Sequence, residues 1–287
     1  MSRLPPIVGE AEDPVEKLRL GGMALRNGLL VHGPTHWAAA VRNDAGALEV
    51  ASGRKPSLGG EATESIPGLR GITKLAEALA VIPLVKRALP AARLPMQDAR
   101  TLGAMAGATL LGQAIRSTGP RGVAREGVIG LVSLMPALFA LRSGDLAAYH
   151  GVEHKSIAAY EQDGEAAGAE KEHDRCGSNL VAPMLGAAAL GNAAARRAGL
   201  RGPAAEAAVA IGSAAVAVEV FAWSERNEGT RVSRALRRPG YEIQRVVGTR
   251  EPTAEQLEVG GAALAEILRV EAVAAGDPPG GAVTAGG

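Results

Sequence analysis

The residues that can do chemistry in this chain are few. Its five histidines fall in three places: His32 with His36, His150 with His154, and His173. The middle pair belongs to Tyr149-His150-Gly151-Val152-Glu153-His154-Lys155, an H-x-x-E-H sequence. On a helix, at about 100° per residue, Glu153 lies roughly 60° to one side of His150 and His154 roughly 40° to the other, so one narrow face presents two imidazoles and a carboxylate. Neutral imidazoles at that spacing suit a divalent metal, zinc above all. A carboxylate beside the ion can take a proton from water that the ion acidifies. This is the logic of the inverted zinc-peptidase motif. The alternative is a polar helix face at a membrane boundary.

A second cluster, His173-Asp174-Arg175-Cys176-Gly177-Ser178, sets a histidine three residues from the chain's one cysteine. A lone cysteine in a reduced compartment is ordinarily a small buried hydrophobe. With a histidine pair in the same chain, His173 and the Cys176 thiolate become candidate third and fourth ligands. The acidic linker 161–172 is long enough to fold one cluster back onto the other. Glu219 is the third unusual residue. It lies in the apolar run Ala217-Val218-Glu219-Val220-Phe221, where a carboxylate is costly unless paired, protonated or bound to a cation. It reads as an inward-pointing metal ligand or proton carrier if its helix spans a membrane, and as a water-facing residue if the helix is soluble. Glu206 needs no function, because it follows Pro203 near a helix start and complements the helix dipole. His32 and His36 flank Gly33-Pro34-Thr35 and read as turn residues. P-loop, dinucleotide fingerprint and nucleophile elbow are all missing from the sequence.

The elements that must position these residues are Ala- and Gly-rich. The 287 residues are 47% hydrophobic but only 2% aromatic, with 38 Gly, 17 Pro and one Cys, which excludes a collagen-like fibre, a disulfide scaffold and a disordered chain. Thirty-one basic residues against 30 acidic ones leave no bulk attraction to phosphate, and 2 Trp, 3 Tyr and 2 Phe are too few for base stacking, so nucleic acid is not an expected partner. The mean hydropathy of +0.07 falls between a soluble enzyme and a polytopic transporter. Position separates them. Four apolar stretches occur, at Thr101–Ile115, Gly127–Leu141, Cys176–Ala195 and Pro203–Ser224. A spanning helix needs about 20 apolar residues, a standard the third stretch meets most cleanly; the others meet it if flanking Arg100, Arg116, Arg125 and Arg142 snorkel. A Gly103-x-x-x-Gly107 pair inside the first stretch lets membrane helices approach closely. Arginines after the fourth stretch favour a cytoplasmic C-terminus, while the Ala193–Gly202 connection is basic as well and leaves the topology open. The competing reading is a soluble Ala-rich bundle.

The expected architecture is therefore mainly α: a polytopic membrane bundle of about four apolar helices, with a small N-terminal β element and a C-terminal amphipathic helix. Residues 1–20 form an N-terminal tail without a signal-peptide h-region. Residues 21–70 form the β element and a loop, in which His36–Val41, a turn at Asn43–Gly46 and Ala47–Val50 read as strand, turn, strand. Residues 71–271 form the helical membrane domain, beginning with a helix over Ile72–Leu89 that Pro83 should kink. Thr253-Ala254-Glu255-Gln256 reads as a capping box that opens the last helix, and residues 272–287 read as a disordered tail.

In order along the chain, Gly21-Gly22, Asn27-Gly28, Gly33-Pro34, the Tyr149–Lys155 motif, the His173–Ser178 motif, Thr249-Arg250-Glu251-Pro252 and Gln256-Leu257-Glu258-Val259 resemble the bacterial YqhQ-like family, over roughly Leu20 to Leu268. That family is a domain of unknown function described as a predicted metal-dependent membrane enzyme. The resemblance implies an integral membrane protein with a metal site and no known substrate. By position, His150, Glu153, His154, His173 and Cys176 match the family's polar motif residues, and Glu219 matches an acidic residue in its last membrane helix. The family usually has Gln at Met23, Glu at Asn27 and Pro at Asp174, so any site role of those positions is altered here.

Three functions compete on this reading. The leading one is a membrane-embedded, metal-dependent hydrolase of unknown substrate, integral to the cytoplasmic membrane. There His150, His154 and one of His173, Cys176 or Glu219 hold a divalent metal of the zinc type, with Glu153 as general base. The second is a membrane scaffold in which His150, His154, His173 and Cys176 close a structural site. The third is a transporter or proton relay built on Glu219 and the histidines. The bilayer is the expected partner, and a homo-oligomer stays open.

Overall fold

Beginning at Gly21, short Gly-punctuated apolar runs form a four-stranded antiparallel meander: β1 (Gly21–Leu25), β2 (Gly28–His32), β3 (His36–Arg42) and β4 (Leu48–Arg54). The structure, a computed structural model, describes residues 17–59, 66, 69–95, 97–118, 122–142 and 144–276. The expected N-terminal tail as far as residue 16, the C-terminal tail from residue 277 and part of the 53–70 loop lie outside the described residues. His32 ends β2 and His36 begins β3, so the Gly33-Pro34-Thr35 turn falls where its residues predict.

Both faces of the sheet are covered, which is why β3 reads Trp-Ala-Ala-Ala-Val without polar alternation. On one face Leu25, Leu30, Trp37, Ala39 and Val41 pack against Val81, Val85 and Leu89. The helix α1 (Leu69–Ala80) packs against the Pro203–Arg226 helix, and the layer on the sheet comes from α2 (Ile82–Ala88) with the residues that flank it. The single kinked helix expected at Ile72–Leu89 is thus two helices broken at Val81, and Pro83 sits in the first turn of the second, where its missing N–H is no loss. The other face packs on two helices, α5 (Asp145–Gln162) and α9 (Ala254–Ala275). In α9, Val259, Ala263, Ile267 and Glu271 make one buried stripe at four-residue spacing. Its start is the expected capping box: Thr253 accepts from the Gln256 backbone and Gln256 reaches back. The helix runs four residues beyond Glu271, to a left-handed Gly276 cap.

The remaining helices are α3 (Ala99–Thr118), α4 (Val123–Leu141), α6 (Val181–Arg197), α7 (Pro203–Arg226) and α8 (Arg231–Ile243). α3 packs on α4, α4 on α6, and α6 on α7. At one end of this quartet the Glu126 carboxylate, 1% exposed, meets Arg125 at 3.0 Å, Arg196 at 3.3 Å and Arg116 at 3.7 Å, and Arg116 also reaches Glu206 at 3.3 Å. The outward faces are apolar: Leu102, Met105, Leu110, Leu131, Met135, Phe139, Leu190 and Ile211 are all exposed.

The expectation of four spanning helices is corrected to two. Among the described residues, Val123–Leu141 and Pro203–Arg226 are long and apolar enough to cross a membrane. The stretch that read as the cleanest span, Cys176–Ala195, fails on length, because Gly177–Leu180 winds as a 3-10 turn and leaves a 17-residue α6. α3 is long enough at 20 residues, but Arg100, Gln113 and Arg116 dilute it. The protein is mainly helical with a small N-terminal antiparallel sheet.

Candidate metal centre

Helix α5 is buried almost all round, wedged between the sheet, α9 and the Thr249–Pro252 segment. The backbone of that segment runs along it: Arg250 N–H donates to Ala147 O at 2.9 Å. A Cβ on Gly151 would stand 2.3 Å from Arg250 O, so the glycine of the Tyr-His-Gly motif is the residue that lets the two chains touch. Lys155, buried, pairs with Glu251 of the same segment.

From this rigid helix His150 and His154 project together, with ring centroids 4.4 Å apart. The Nδ1 of each is engaged by a backbone carbonyl, His150 with Gly248 O at 2.8 Å and His154 with Lys171 O at 2.6 Å. A ring that donates from Nδ1 presents an unprotonated Nε2, the form a metal takes, and carbonyl anchoring of this kind is the usual outer support of a ligating histidine. The His150 Nε2 lies 3.3 Å from the Cys176 sulfur. The His154 Nε2 is fully buried and has no protein partner. The three ligand atoms of His150, His154 and Cys176 lie within 4.8 Å of one another, a cluster that could hold a metal ion. Burial, reinforced by His150, lowers the His154 pKa to about 3, so the ring is neutral at physiological pH.

Cys176 arrives from the other layer. It caps the 3-10 turn ahead of α6, its sulfur accepting from Ser178 N–H at 3.4 Å, and it is buried. Without a cation that burial pushes the thiol upward from its ordinary value. Gln244, fully buried and not singled out in the sequence, holds the loop that carries it. Its Oε1 accepts from His173 N–H at 2.8 Å, and its Nε2 donates to Ser178 Oγ at 2.8 Å and to His173 O at 3.2 Å. Gln244 also opens a π-turn, Gln244–Gly248, closed by Thr249 N–H on Gln244 O at 2.9 Å. That widened turn carries Gly248, whose carbonyl meets His150, in keeping with the habit of π-turns to mark functional sites.

Glu153 stands on the same helix beside the cluster. Its Cγ, Cδ and Oε1 lie 2.6–2.8 Å from where a Cβ on Gly22 would be, so β1 can approach only because that residue is glycine. Ala24 N–H donates to the carboxylate. Although the residue keeps part of its surface accessible, its carboxyl is desolvated, and this, with Cys176 near, pushes the pKa up to about 7 against the opposing pull of His150 and the Ala24 amide.

The structure brings together three of the five residues proposed as ligands and leaves two elsewhere. The His173 ring centroid is 5.7 Å from that of His154, but its nitrogens face away: Nδ1 accepts from Arg175 N–H at 3.2 Å and Nε2 lies 3.4 Å from Glu161. Glu219 is partly buried in α7, outside the ligand cluster.

These features define a class: a mainly helical protein, two of its helices fit for a membrane, with a mixed histidine and cysteine cluster at the seam between a sheet-and-helix cap and an apolar helix quartet. Residues 128–270 carry a domain that matches the family described as "Protein of unknown function (DUF1385)". That span includes every ligand candidate and leaves out the sheet with Gly22 and Ala24. Neither a curated protein nor a solved structure matches the chain.

Proposed function

We propose that the protein is a membrane-embedded metal-dependent hydrolase whose ion is held by His150, His154 and Cys176. One observation carries this reading: the His154 Nε2 is buried with no protein partner, while its Nδ1 is fixed by a carbonyl. An orphaned buried nitrogen costs about 1–3 kcal/mol, and a cation at the point shared with the His150 nitrogen and the Cys176 sulfur removes that cost. Three protein ligands are the number that leaves a position open for chemistry, where a closed structural site uses four. When bound, such a cation supplies Lewis-acid polarisation and an acidified water. The chain supplies the rest. His154 stays neutral, the His150 and His154 rings are oriented by Gly248 and Lys171, Glu153 takes and returns the proton, and Ala24 N–H with Gly22 fixes where that carboxylate stands. The YqhQ-like resemblance supports both the metal and the membrane. So do the exposed apolar faces of the quartet, and the arginines of α8 after the second candidate span fit a cytoplasmic C-terminus in the cytoplasmic membrane.

A second reading is favoured by the contact between Cys176 sulfur and His150 Nε2: a thiol nucleophile with an imidazole base. It assigns no role to His154. Metal analysis separates the two. About one divalent ion per chain is expected in the wild type, lost in His150→Ala, His154→Ala and Cys176→Ala. Glu153→Gln should keep the ion and lose hydrolysis of chromogenic esters. Cys176→Asp, which can ligate but cannot form a thioester, should keep metal-dependent turnover. Wild-type protein that binds neither zinc nor cobalt refutes the centre, and full activity in Glu153→Gln refutes the assigned base.

A further inference from the structure

We infer that the group presented to this centre is the head of an alkyl-chain amphiphile, its chain lying in the apolar cavity beside His150; the inference rests on the hydrolase reading above. The cavity measures about 230 Å³ and is walled by Leu134, Leu138 and Leu141 of α4, Val181 of α6 and Ile243 of α8, with His150 in the same wall. At about 30 Å³ for a group the size of a water or a methylene, it takes roughly eight such groups, enough for one chain. Its surface is carbon almost throughout. The polar groups in the wall are already engaged: Ser178 Oγ donates to Gly240 O and accepts from Gln244 Nε2, and Gly248 O meets His150 Nδ1.

That exhaustion of polar partners decides the class of occupant. An extended peptide brings an N–H and a C=O with every residue and needs partners for them. A methylene chain needs none, and each methylene buried adds to affinity. The position of the cavity agrees. Its longest wall is α4, a helix fit to cross a membrane, whose residues Leu131, Met135 and Phe139 are exposed while Leu134, Leu138 and Leu141 line the cavity. A chain leaving a bilayer along α4 therefore meets apolar surface up to His150. The reaction is hydrolysis at the head: the hydroxyl of one water goes to the acyl carbon, the acyl–oxygen or acyl–nitrogen bond breaks, and the other proton passes through Glu153 to the leaving atom. No redox partner is involved.

The test uses the full-length protein, cobalt-loaded and held in nanodiscs, titrated with n-alkyl hydroxamates from acetyl to decanoyl and read by the cobalt absorption bands. Affinities are corrected for partition into protein-free nanodiscs. The expected result is a gain of about three- to fourfold per methylene that stops near eight carbons. Leu138→Trp should flatten the chain-length series and leave acetohydroxamate binding unchanged. Ala137→Phe serves if that variant does not fold. Acetohydroxamate without effect on the cobalt bands refutes the metal-centre reading itself. Acetohydroxamate that binds, with no gain along the series, overturns the chain site alone. A leucyl peptide hydroxamate that outbinds the alkyl hydroxamate of equal carbon number overturns the choice of an alkyl chain over a peptide.

Discussion

Replacing Gln244 by methionine keeps the volume of a fully buried side chain and removes every hydrogen bond it makes. Three are lost: the acceptance from His173 N–H at 2.8 Å and the donations to Ser178 Oγ at 2.8 Å and to His173 O at 3.2 Å. The partners do not suffer equally. His173 O keeps the Cys176 N–H at 3.2 Å, and Ser178 Oγ keeps Gly240 O at 3.2 Å, but the His173 N–H is left without its partner. Orphaning that amide costs about 1–3 kcal/mol and each merely reduced partner on the order of 0.5–1 kcal/mol, so the loop loses roughly 2–5 kcal/mol. The loop carries Cys176, and loss of such outer support typically weakens metal affinity 10- to 100-fold. Zinc affinity is read by chelator competition, and stability by thermal unfolding of the metal-free protein in detergent. Gln244→Glu, which keeps the acceptor for His173 N–H and loses the donors, should fall between wild type and Gln244→Met. A Gln244→Met protein that binds zinc within twofold of wild type refutes the claim that this residue positions the cysteine.

Gly22→Ala puts a methyl 2.6–2.8 Å from the Glu153 side chain and touches no ligand. Bound metal should be unchanged while hydrolysis falls on the order of tenfold to a hundredfold, because the carboxylate must shift; loss of the metal as well contradicts the separate roles. Glu126→Leu leaves Arg116, Arg125 and Arg196 facing one another without their shared carboxylate, at a cost of about 3–5 kcal/mol measured by thermal unfolding in detergent, and an unchanged midpoint counts against that cluster. His32, whose pKa burial and Lys55 lower to about 4, resists the proton that the unfolded chain accepts near 6.5. Stability is therefore untouched by His32 above pH 6.5 and falls between 6.5 and 4, by up to roughly 3 kcal/mol. His32→Gln should remove that part of the acid slope, and an identical slope in both proteins refutes it.

What the sequence made legible was local. The i, i+4 spacing of His150 and His154 needs only a helix to become a shared face, and Thr253 with Gln256 needs only a helix start to become a cap. Cys176 could be nominated because it is the one cysteine and lies near a histidine; the sequence nominated His173 equally, and nothing in its spacing reveals that its nitrogens turn to Arg175 and Glu161. The parts that were missed act across the chain. Gly248 is 98 residues from His150 and Gln244 is 71 from His173. Gly22 looks like a turn residue until Glu153 is laid against it. Span length failed for a related reason: apolar composition continued through Cys176–Leu180, but a cysteine cap and a 3-10 turn spend those residues on holding the site instead of lengthening the helix.

The placement of the ligands bears on why the centre sits where it does. Two of them come from α5, a helix gripped by the sheet and α9, and the third from the start of α6, in the apolar quartet. The carbonyl that orients His150 belongs to neither, since it comes from the turn after α8. A site drawn from three elements is precise only if each is rigid by itself. α5 has that from all-round burial, and the cysteine loop has it from Gln244. At the seam between cap and quartet a helix-borne histidine pair, a backbone-anchored thiol and a chain-sized apolar cavity thus adjoin. On the proposed reading, an ion bound there favours the assembled seam over the separated layers by the difference in its affinity for the two, so catalysis and the docking of cap on quartet draw on the same three side chains.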